Sequence, residues 1–363
     1  MEFIDLQTQY RAMREPINQA IQAVLDSSRY INGPQVKELE SALAAFVGCD
    51  HAVGFSSGTD ALLAILMAKG VGPGDEVITT PFTFIATAET IALTGAQPVF
   101  VDVEPDTLNI DPNRIAEAVT PRTRAIMPVS IFGQCADLDA INDIAAETGL
   151  WVLEDACQSF GAANKGRRSC TLSTAAATSF FPAKPLGCYG DGGMAFTQDA
   201  ELAQGLKMIR EHGQIAQYQH AVLGINGRLD SIQAAILLAK LPYFEGEIQA
   251  RQQVADRYAA LLGGKVRIPV IRPENLSVFA QYTIRVTNRD AVRAAMNAAK
   301  IPTAVHYPIP LHHQAVFASL GYAKEAFPNA TLAASEVISL PMHPYLTAGQ
   351  QEEVAQALLQ AIA

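Results

Sequence analysis

The sequence predicts an α/β fold, with a large domain built on a mostly parallel sheet and a smaller α+β domain after it. Three observations lead to this prediction. Short β-rich segments alternate with helix-like segments between residues 52 and 154, as in a parallel sheet covered on both faces. The 363 residues are 49% apolar, enough for a sizeable core and about two domains. The pattern changes beyond residue 242, where longer helices follow.

The first predicted elements are two helices between residues 15 and 47, separated by the turn Asn32-Gly33-Pro34. The β-rich segments are then residues 52–55, 76–79, 98–101, 125–129, 150–154, 178–181 and 193–197. The helix-like segments are residues 59–69, 85–93, 138–147 and 202–211. Together these elements predict the large domain.

The C-terminal third has a different pattern. Two long helices are predicted at residues 230–240 and 243–262. A strand at 281–286, a helix at 290–300 and a closing helix at 348–362 predict the small α+β domain. We therefore expect domains of residues 1–242 and 243–363.

Composition excludes several classes of function. The net charge is −10 and no basic cluster stands out, so no nucleic-acid partner is expected. The five cysteines are odd in number and lack metal-type pairs, which favours reduced thiols in the cytoplasm. No apolar signal core or membrane-length apolar run is present. No metal is expected, because His306, His312 and His313 lack a carboxylate partner at suitable spacing.

Lys184 is the strongest candidate for chemistry, because it lies between aromatic residues and prolines in the stretch SFFPAKPLG. Such surroundings remove water and lower the pKa of a lysine amine, which makes it a nucleophile toward carbonyl groups. A solvated surface lysine is the alternative. The flanking prolines and glycines argue against that alternative, because they make an exposed helix surface improbable here.

Asp155 follows the predicted strand 150–154, at the edge where α/β proteins bind ligands. A reactive lysine and a carboxylate are the two groups that pyridoxal phosphate needs, since the acid keeps the pyridine nitrogen protonated. Glu154 and Asp155 can equally serve as a helix or turn cap.

The segment GFSSGTDALLAIL reads as a strand, a turn of small residues and a helix. Gly58 and Thr59 lie where free N–H groups and the helix dipole would bind a phosphate, and Ser179 adds a hydroxyl. Ordinary helix capping by Ser57 or Thr59 explains the same pattern.

Four further residues are candidates for contacts with ligands. Phe84 can stack on a flat cofactor ring or belong to the core. His306 and Tyr307 can contact a substrate or form a structural pair. Arg228 can anchor an anion or form an ion pair at an interface.

Taken in order, these segments resemble the nucleotide-sugar aminotransferases of the DegT/StrS type, a family of fold-type I pyridoxal phosphate enzymes. The resemblance covers nearly the whole chain, through SSGTDALLAIL, GDEVITTPFTFIATAE, EDACQSFGA, SFFPAKPLG, GDGG, GINGRLD and HYPIPLH. It implies the fold-type I architecture, a cytoplasmic enzyme with pyridoxal 5'-phosphate as cofactor, and a homodimer with shared sites.

The resemblance also implies roles for individual residues. Lys184 matches the lysine that binds the cofactor's aldehyde, Asp155 the partner of the pyridine nitrogen and Gln158 the neighbour of the phenolic oxygen. The other matches are phosphate ligands Gly58, Thr59 and Ser179, the ring-stacking Phe84, and Asn226, which in the family reaches the neighbouring subunit's cofactor. Gly227 replaces a bulkier residue of the family, and we expect this to widen the sugar pocket.

Within the family, PVSIFGQCADLDAI, TAVHYPIPLH and SLPMHPYL are most similar to the branch that aminates UDP-2-acetamido-2-deoxy-3-oxo-D-glucuronate. L-Glutamate is the donor in that branch, and the product feeds lipopolysaccharide O-antigen synthesis. Alternative substrates are TDP- or UDP-4-keto-6-deoxy sugars. Sugar dehydration, or a non-enzymatic regulatory protein on the same scaffold, are further alternatives against which the intact set of reactive groups argues.

Overall fold

A computed structural model describes residues 1–363. Its helices are α1 (Leu6–Ala12), α2 (Arg14–Ser27), α3 (Pro34–Val47), α4 (Gly58–Ala68), α5 (Ala86–Leu93), α6 (Leu138–Thr148), α7 (Ala200–Arg210), α8 (Ser231–Leu262), α9 (Arg289–Ala298), α10 (Pro328–Glu336) and α11 (Ala348–Ile362). Its strands are β1 (His51–Phe55), β2 (Glu76–Thr79), β3 (Gln97–Phe100), β4 (Thr123–Ile126), β5 (Trp151–Asp155), β6 (Ala163–Asn164), β7 (Arg167–Arg168), β8 (Ala175–Ser179), β9 (Gly193–Thr197), β10 (Gln214–Ala216), β11 (Gln219–His220), β12 (Asn275–Leu276), β13 (Tyr282–Arg285) and β14 (Val337–Leu340).

Seven strands form a central sheet in the order β1-β9-β8-β5-β4-β2-β3. β9 pairs antiparallel with both of its neighbours, and every other neighbouring pair in the sheet is parallel. The predicted α/β fold with a mostly parallel sheet is therefore confirmed. Parallel strands place their carboxyl ends at one edge, so β5 and β8 present the residues that follow them side by side.

Helices bury both faces of this sheet. In β5, Val152 belongs to the core cluster beneath α3, α6 and α8, whereas Leu153 belongs to the cluster beneath α4 and α7. Successive side chains of a strand point to opposite faces, so a strand covered on both sides must be apolar throughout. This burial explains the short continuous apolar runs in the sequence.

The prediction of two helices at residues 230–240 and 243–262 was wrong, because α8 is one helix with Pro242 inside it. A proline removes a helical hydrogen bond and crowds the preceding turn. Packing on either side outweighs that cost: Leu237 is buried in the sheet core and Tyr258 in the C-terminal core. The domain boundary predicted at residue 242 falls within this helix, and the division into 1–242 and 243–363 stays a prediction.

The C-terminal part contains the predicted strand as β13, which pairs antiparallel with β14, and the predicted helices as α9 and α11. These elements enclose their own cluster of 18 buried apolar residues, shared with the second half of α8. The remaining predicted helices and strands overlap the observed ones, with bounds offset at one or both ends. No helix in the structure is both long enough and apolar enough to span a membrane.

Several short elements escaped prediction, including α1 and the hairpin of β10 and β11. The hairpin strands have only three and two residues, all exposed, so they lack the alternation of apolar and polar side chains that identifies a strand. Two-residue strands β6, β7 and β12 form a further small sheet.

Candidate active site

The loop between β8 and β9 carries Lys184 at the carboxyl end of β8. The loop is tied by its own backbone: the N–H of Lys184 donates to the carbonyl of Phe181 at 2.8 Å. The N–H of Cys188 donates to the carbonyl of Phe180, also at 2.8 Å. A side chain on Gly187 would lie 2.4 Å from the carbonyl oxygen of Pro182, so this fold-back requires glycine. The lysine therefore projects from a closed loop.

Two side chains of α8 hold the far half of the same loop. Gln233 accepts a hydrogen bond from the N–H of Tyr189 at 2.9 Å, and the ammonium of Lys240 donates to the carbonyl of Gly187. Lys240 is only 1% exposed, and burial lowers the pKa of its amine to about 8. Gln233 and Lys240 lie on one face of α8, because they are seven residues apart and seven residues make about two helical turns. Sequence reasoning missed them.

The amine of Lys184 lies in a partly buried environment. Burial lowers the pKa of this amine, and the neighbouring Cys157 and Asp155 oppose the change. A lowered pKa leaves more of the amine unprotonated at neutral pH, which is the form that attacks a carbonyl carbon. The structure thus gives Lys184 the environment that its sequence context predicts.

Asp155 is the last residue of β5 and is buried. One carboxylate oxygen accepts a hydrogen bond from the hydroxyl of Thr87 at 2.7 Å, and the other accepts from the N–H of Cys157 at 3.1 Å. Thr87 is itself 3.0 Å from the hydroxyl of Thr83, which precedes α5. These contacts fix the orientation of the carboxylate. Sequence reasoning did not identify Thr87, because nothing in its own segment signals a contact with Asp155.

The start of α4 lies next to these groups. Ser57 is the N-cap residue, and its hydroxyl accepts the N–H of Asp60 at 3.0 Å. The capping alternative is thus correct for Ser57. Capping satisfies one of the first four N–H groups of a helix, so those of Gly58 and Thr59 are left without helical partners. An anion can bind to such groups.

Gly58 joins this turn to the two strands that carry the reactive groups. A side-chain carbon on Gly58 would lie 2.8 Å from the sulfur of Cys157 and 2.9 Å from the β-carbon of Ser179. Gly193, at the start of β9, is similarly constrained, since a side chain there would lie 2.3 Å from the carbonyl of Ser57. The close approach brings Gly58 and Ser179 together, as the phosphate hypothesis requires.

Gln158 and Tyr307 form another side of the site. The amide oxygen of Gln158 accepts the N–H of Phe132 at 2.9 Å, and its amide nitrogen donates to the hydroxyl of Tyr307 at 3.0 Å. The ring of Phe84 is centred 6.0 Å from that of Tyr307 and is 55% exposed. Phe84 is therefore not a core residue, and its ring is accessible to a ligand.

His306 is close enough to Lys184 for the lysine's charge to act on it. Burial, assisted by that charge, lowers the pKa of His306 to about 4, so the ring is neutral at physiological pH. Its Nδ1 lies 2.9 Å from the hydroxyl oxygen of Ser339 in β14.

Arg228 and Asn226 lie next to the turn that precedes α4. The carbonyl of Gly227, between them, accepts the N–H of Ser56 at 2.8 Å. Asn226 is exposed. Arg228 lies 3.9 Å from a carboxylate oxygen of Glu211, and its Nε is buried without a partner.

The expectation that Gly227 widens the sugar pocket stays a prediction, and the structure shows what surrounds this glycine. A side-chain carbon on Gly227 would lie 2.9 Å from the side chain of Ile225 and 3.3 Å from the ring of Phe55. The volume of the missing side chain is therefore taken by packing within the chain.

This site combines a lysine of lowered pKa, an oriented carboxylate and a helix N-terminus with unpaired N–H groups, all at the carboxyl edge of an α/β sheet. These features are typical of the class of pyridoxal phosphate enzymes. Residues 11–359 match the model of the DegT/DnrJ/EryC1/StrS aminotransferase family. The chain belongs to this family.

The chain is 54% identical over 359 residues to the UDP-2-acetamido-2-deoxy-3-oxo-D-glucuronate aminotransferase of Pseudomonas aeruginosa, covering 99% of each chain. A family aminotransferase from Brucella abortus has a crystal structure that superposes with a TM-score of 0.97, at 42% identity and 100% coverage of both chains. The structure of S. venezuelae DesV in complex with a ketimine intermediate gives a TM-score of 0.97 at 40% identity, covering 99% of this chain and 97% of the other.

The chain is accordingly a pyridoxal-phosphate-dependent aminotransferase with the fold-type I architecture. Its residues fit that cofactor. Gly58 and Thr59 offer free N–H groups at the start of α4, and Lys184 and Asp155 supply an amine and a carboxylate at adjacent strand ends.

Proposed function

We propose that this enzyme transfers the amino group of L-glutamate to UDP-2-acetamido-2-deoxy-3-oxo-D-glucuronate, giving the 3-amino sugar. The observation that carries the proposal is Lys184, a partly buried amine of lowered pKa beside a fixed carboxylate. The choice of sugar is supported by the 54% identity to the Pseudomonas aeruginosa enzyme over 99% of both chains.

Bound cofactor supplies a carbonyl for the amine and a protonated ring that accepts electrons from the reacting carbon. Lys184 would hold that carbonyl through its unprotonated Nζ. When free, the same Nζ would move a proton from the donor's α-carbon, acting as general base. Asp155 keeps the ring nitrogen protonated, and Thr87 holds its carboxylate in place.

The other cofactor contacts follow from position. Gly58 and Thr59 offer N–H groups, and Ser179 a hydroxyl, to the phosphate. Gln158 lies beside the site, fixed by Phe132 and Tyr307, where its amide can meet the phenolic oxygen.

The sugar is proposed to contact Arg228, His306 and Tyr307. Arg228 provides a cation for the uronate carboxylate, since its Nε lacks a partner within the chain.

We also propose a homodimer in which Asn226 reaches the neighbouring subunit's cofactor. This is supported by the exposure of Asn226 and by the adjacent β10–β11 hairpin, whose apolar side chains face outward. Leu223 is 88% exposed and Tyr218 is 84% exposed, which is unusual for large side chains of a monomer. The five unpaired cysteines support a cytoplasmic enzyme. We also propose that its 3-amino uronic acid product is used in lipopolysaccharide O-antigen synthesis.

An absorbance experiment on the cofactor-loaded protein tests the substrate. Two product sugars are added separately: a UDP-linked 3-amino uronic acid and a TDP-4-amino-6-deoxy sugar. We expect bleaching of the yellow form by the first alone, and none by either in Lys184→Ala. Bleaching by the second alone would keep the aminotransferase and reject the proposed sugar.

A further inference from the structure

Three side chains form a hydrogen-bonded chain that ends at His306. Its Nδ1 lies 2.9 Å from the hydroxyl oxygen of Ser339, which in turn lies 2.9 Å from the hydroxyl oxygen of Thr283. Ser339 is 0% exposed and Thr283 is 6% exposed. The two hydroxyl residues face each other across the β13–β14 pair, so the strands fix their separation.

Counting the protons shows in which direction the hydrogen bonds of these three side chains run. It contains two contacts, and each contact accommodates one proton. If His306 carries its proton on Nε2, Thr283 donates to Ser339 and Ser339 donates to Nδ1, and both hydroxyl protons are paired. If the proton is on Nδ1, it occupies the contact with Ser339, and one buried hydroxyl proton has no acceptor among these three side chains. Leaving such a group unpaired costs about 1–3 kcal/mol.

The other ring nitrogen of His306 is free to act. Nε2 makes no hydrogen bond within the chain and is not among the buried polar atoms that lack partners, unlike both ring nitrogens of His343. It therefore has access to solvent in the neighbourhood of Lys184, whose charge acts on the same ring.

We propose that Ser339 and Thr283 are positioning residues that hold His306 as the Nε2–H tautomer, so that Nε2 donates a hydrogen bond to an oxygen of the keto sugar. The assignment of the sugar as the acceptor rests on the proposed function. A histidine so fixed discriminates in favour of an oxygen acceptor and against an ammonium group at the same position, because an ammonium group has no lone pair to accept the hydrogen bond.

The opposite direction needs an acceptor beyond Thr283. Thr283 lines a small cavity together with Gln281 and Arg285, where the buried side-chain oxygen of Gln281, which has no partner, or a water would accept its proton. The chain would then run from Nδ1–H to Ser339 to Thr283, and Nε2 would be an acceptor. The two directions predict different tautomers, so the ring itself distinguishes them.

Nuclear magnetic resonance of protein labelled with ¹⁵N-histidine measures the tautomer without cofactor or sugar. Spectra are recorded at pH 7.5, where His306 is neutral, and its resonances are identified by their loss in His306→Asn. We expect a protonated Nε2 and an unprotonated Nδ1. A proton on Nδ1 overturns the proposal.

Thr283→Val distinguishes the two directions of hydrogen bonding a second time, because valine has a shape similar to that of threonine and lacks the hydroxyl. In the proposed direction Ser339 still donates to Nδ1, so the tautomer is unchanged. In the opposite direction Ser339 loses its acceptor, and the ring changes to the Nε2–H form. Thr283→Ser, which keeps the hydroxyl, is the matched control.

Ser339→Ala removes the group that sets the tautomer. We expect a mixture of both tautomers and a KM for the keto sugar that is about twofold higher for an equal mixture, because only the Nε2–H form donates to the sugar, with KM for glutamate unchanged. An altered tautomer with an unchanged sugar KM rejects the contact between His306 and the sugar. If no keto sugar is a substrate, the proposed function fails. The spectra would still show whether Ser339 and Thr283 set the tautomer of His306.

Discussion

At the scale of single residues, orientation of a reactive group depends on partners distant in sequence. Asp155 is held by Thr87, which is 68 residues earlier in the chain, and His306 by Ser339, which is 33 residues later. In the proposed mechanism the carboxylate of Asp155 keeps a proton on the ring nitrogen, so we expect its orientation by the hydroxyl of Thr87 to affect the rate.

Thr87→Val tests this dependence. The variant removes the hydrogen bond to Asp155 while keeping the shape of the side chain, and we expect kcat to fall roughly tenfold, as for about 1.4 kcal/mol of lost interaction. Steady-state kinetics with saturating glutamate and sugar measure the effect, and Thr87→Ser should keep most of the activity. A valine variant with wild-type kcat would show that the N–H of Cys157 orients the carboxylate sufficiently.

At the scale of elements, α8 links the lysine loop to the rest of the fold. Gln233 and Lys240 contact the loop from one face of the helix, while later residues of α8 are buried in the C-terminal core. Lys240 is an unusual choice for this task, since burying an ammonium group disfavours its charged form.

Lys240→Met tests both the loop contact and the burial of the amine. The pKa of Lys240 is about 8 in the folded protein and near 10.5 in the unfolded chain, so between these values the unfolded chain binds more protons. The free energy of unfolding of the wild type should therefore rise with pH from 8 to 10.5, by up to roughly 3 kcal/mol at 1.36 kcal/mol per unit. The variant should lack this contribution.

Urea unfolding at pH 7 and pH 10 measures the difference between the two proteins. Lys37→Met, at an exposed lysine, is the control and should change with pH as the wild type does. We expect kcat of Lys240→Met at pH 7 to fall several-fold, because the carbonyl of Gly187 loses its donor. Equal pH dependence in both proteins would contradict a buried amine of lowered pKa.

At the scale of the whole molecule, one chain leaves part of its candidate site exposed. Asn226 and the β10–β11 hairpin project outward next to the turn at the start of α4, and large apolar side chains of the hairpin face solvent. A second copy of the chain would cover them, and the proposed homodimer follows from this exposure together with the family resemblance.

Mixed dimers test whether the sites are shared. If Asn226 acts on the partner's cofactor, a dimer of one Lys184→Ala and one Asn226→Ala subunit has one site with both defects and one intact site. We expect each parent variant to be weakly active or inactive, and refolded mixtures to recover up to roughly a quarter of wild-type activity, since half of the dimers are mixed. Mixtures no more active than the average of the parents would exclude the shared site.

The sequence by itself determined the fold class and the position of the main reactive groups. Alternation of short apolar strands with amphipathic helices predicts a parallel sheet, and a parallel sheet brings its strand ends to one edge. Lys184 and Asp155 were identified from local pattern, because Asp155 ends β5 and Lys184 lies in the loop that follows β8. Gly58 was found for the same reason, at the start of a helix.

Only the tertiary structure decided the contacts that orient these groups. The partners Thr87, Ser339 and Lys240 are ordinary residues in their own segments, and only packing brings them to Asp155, His306 and the lysine loop. The continuity of α8 through Pro242 was decided in the same way, because burial at both ends outweighs a local preference for a break. Preferences for helix, strand or turn depend on residues adjacent in sequence, whereas packing depends on residues that meet only after the chain has folded.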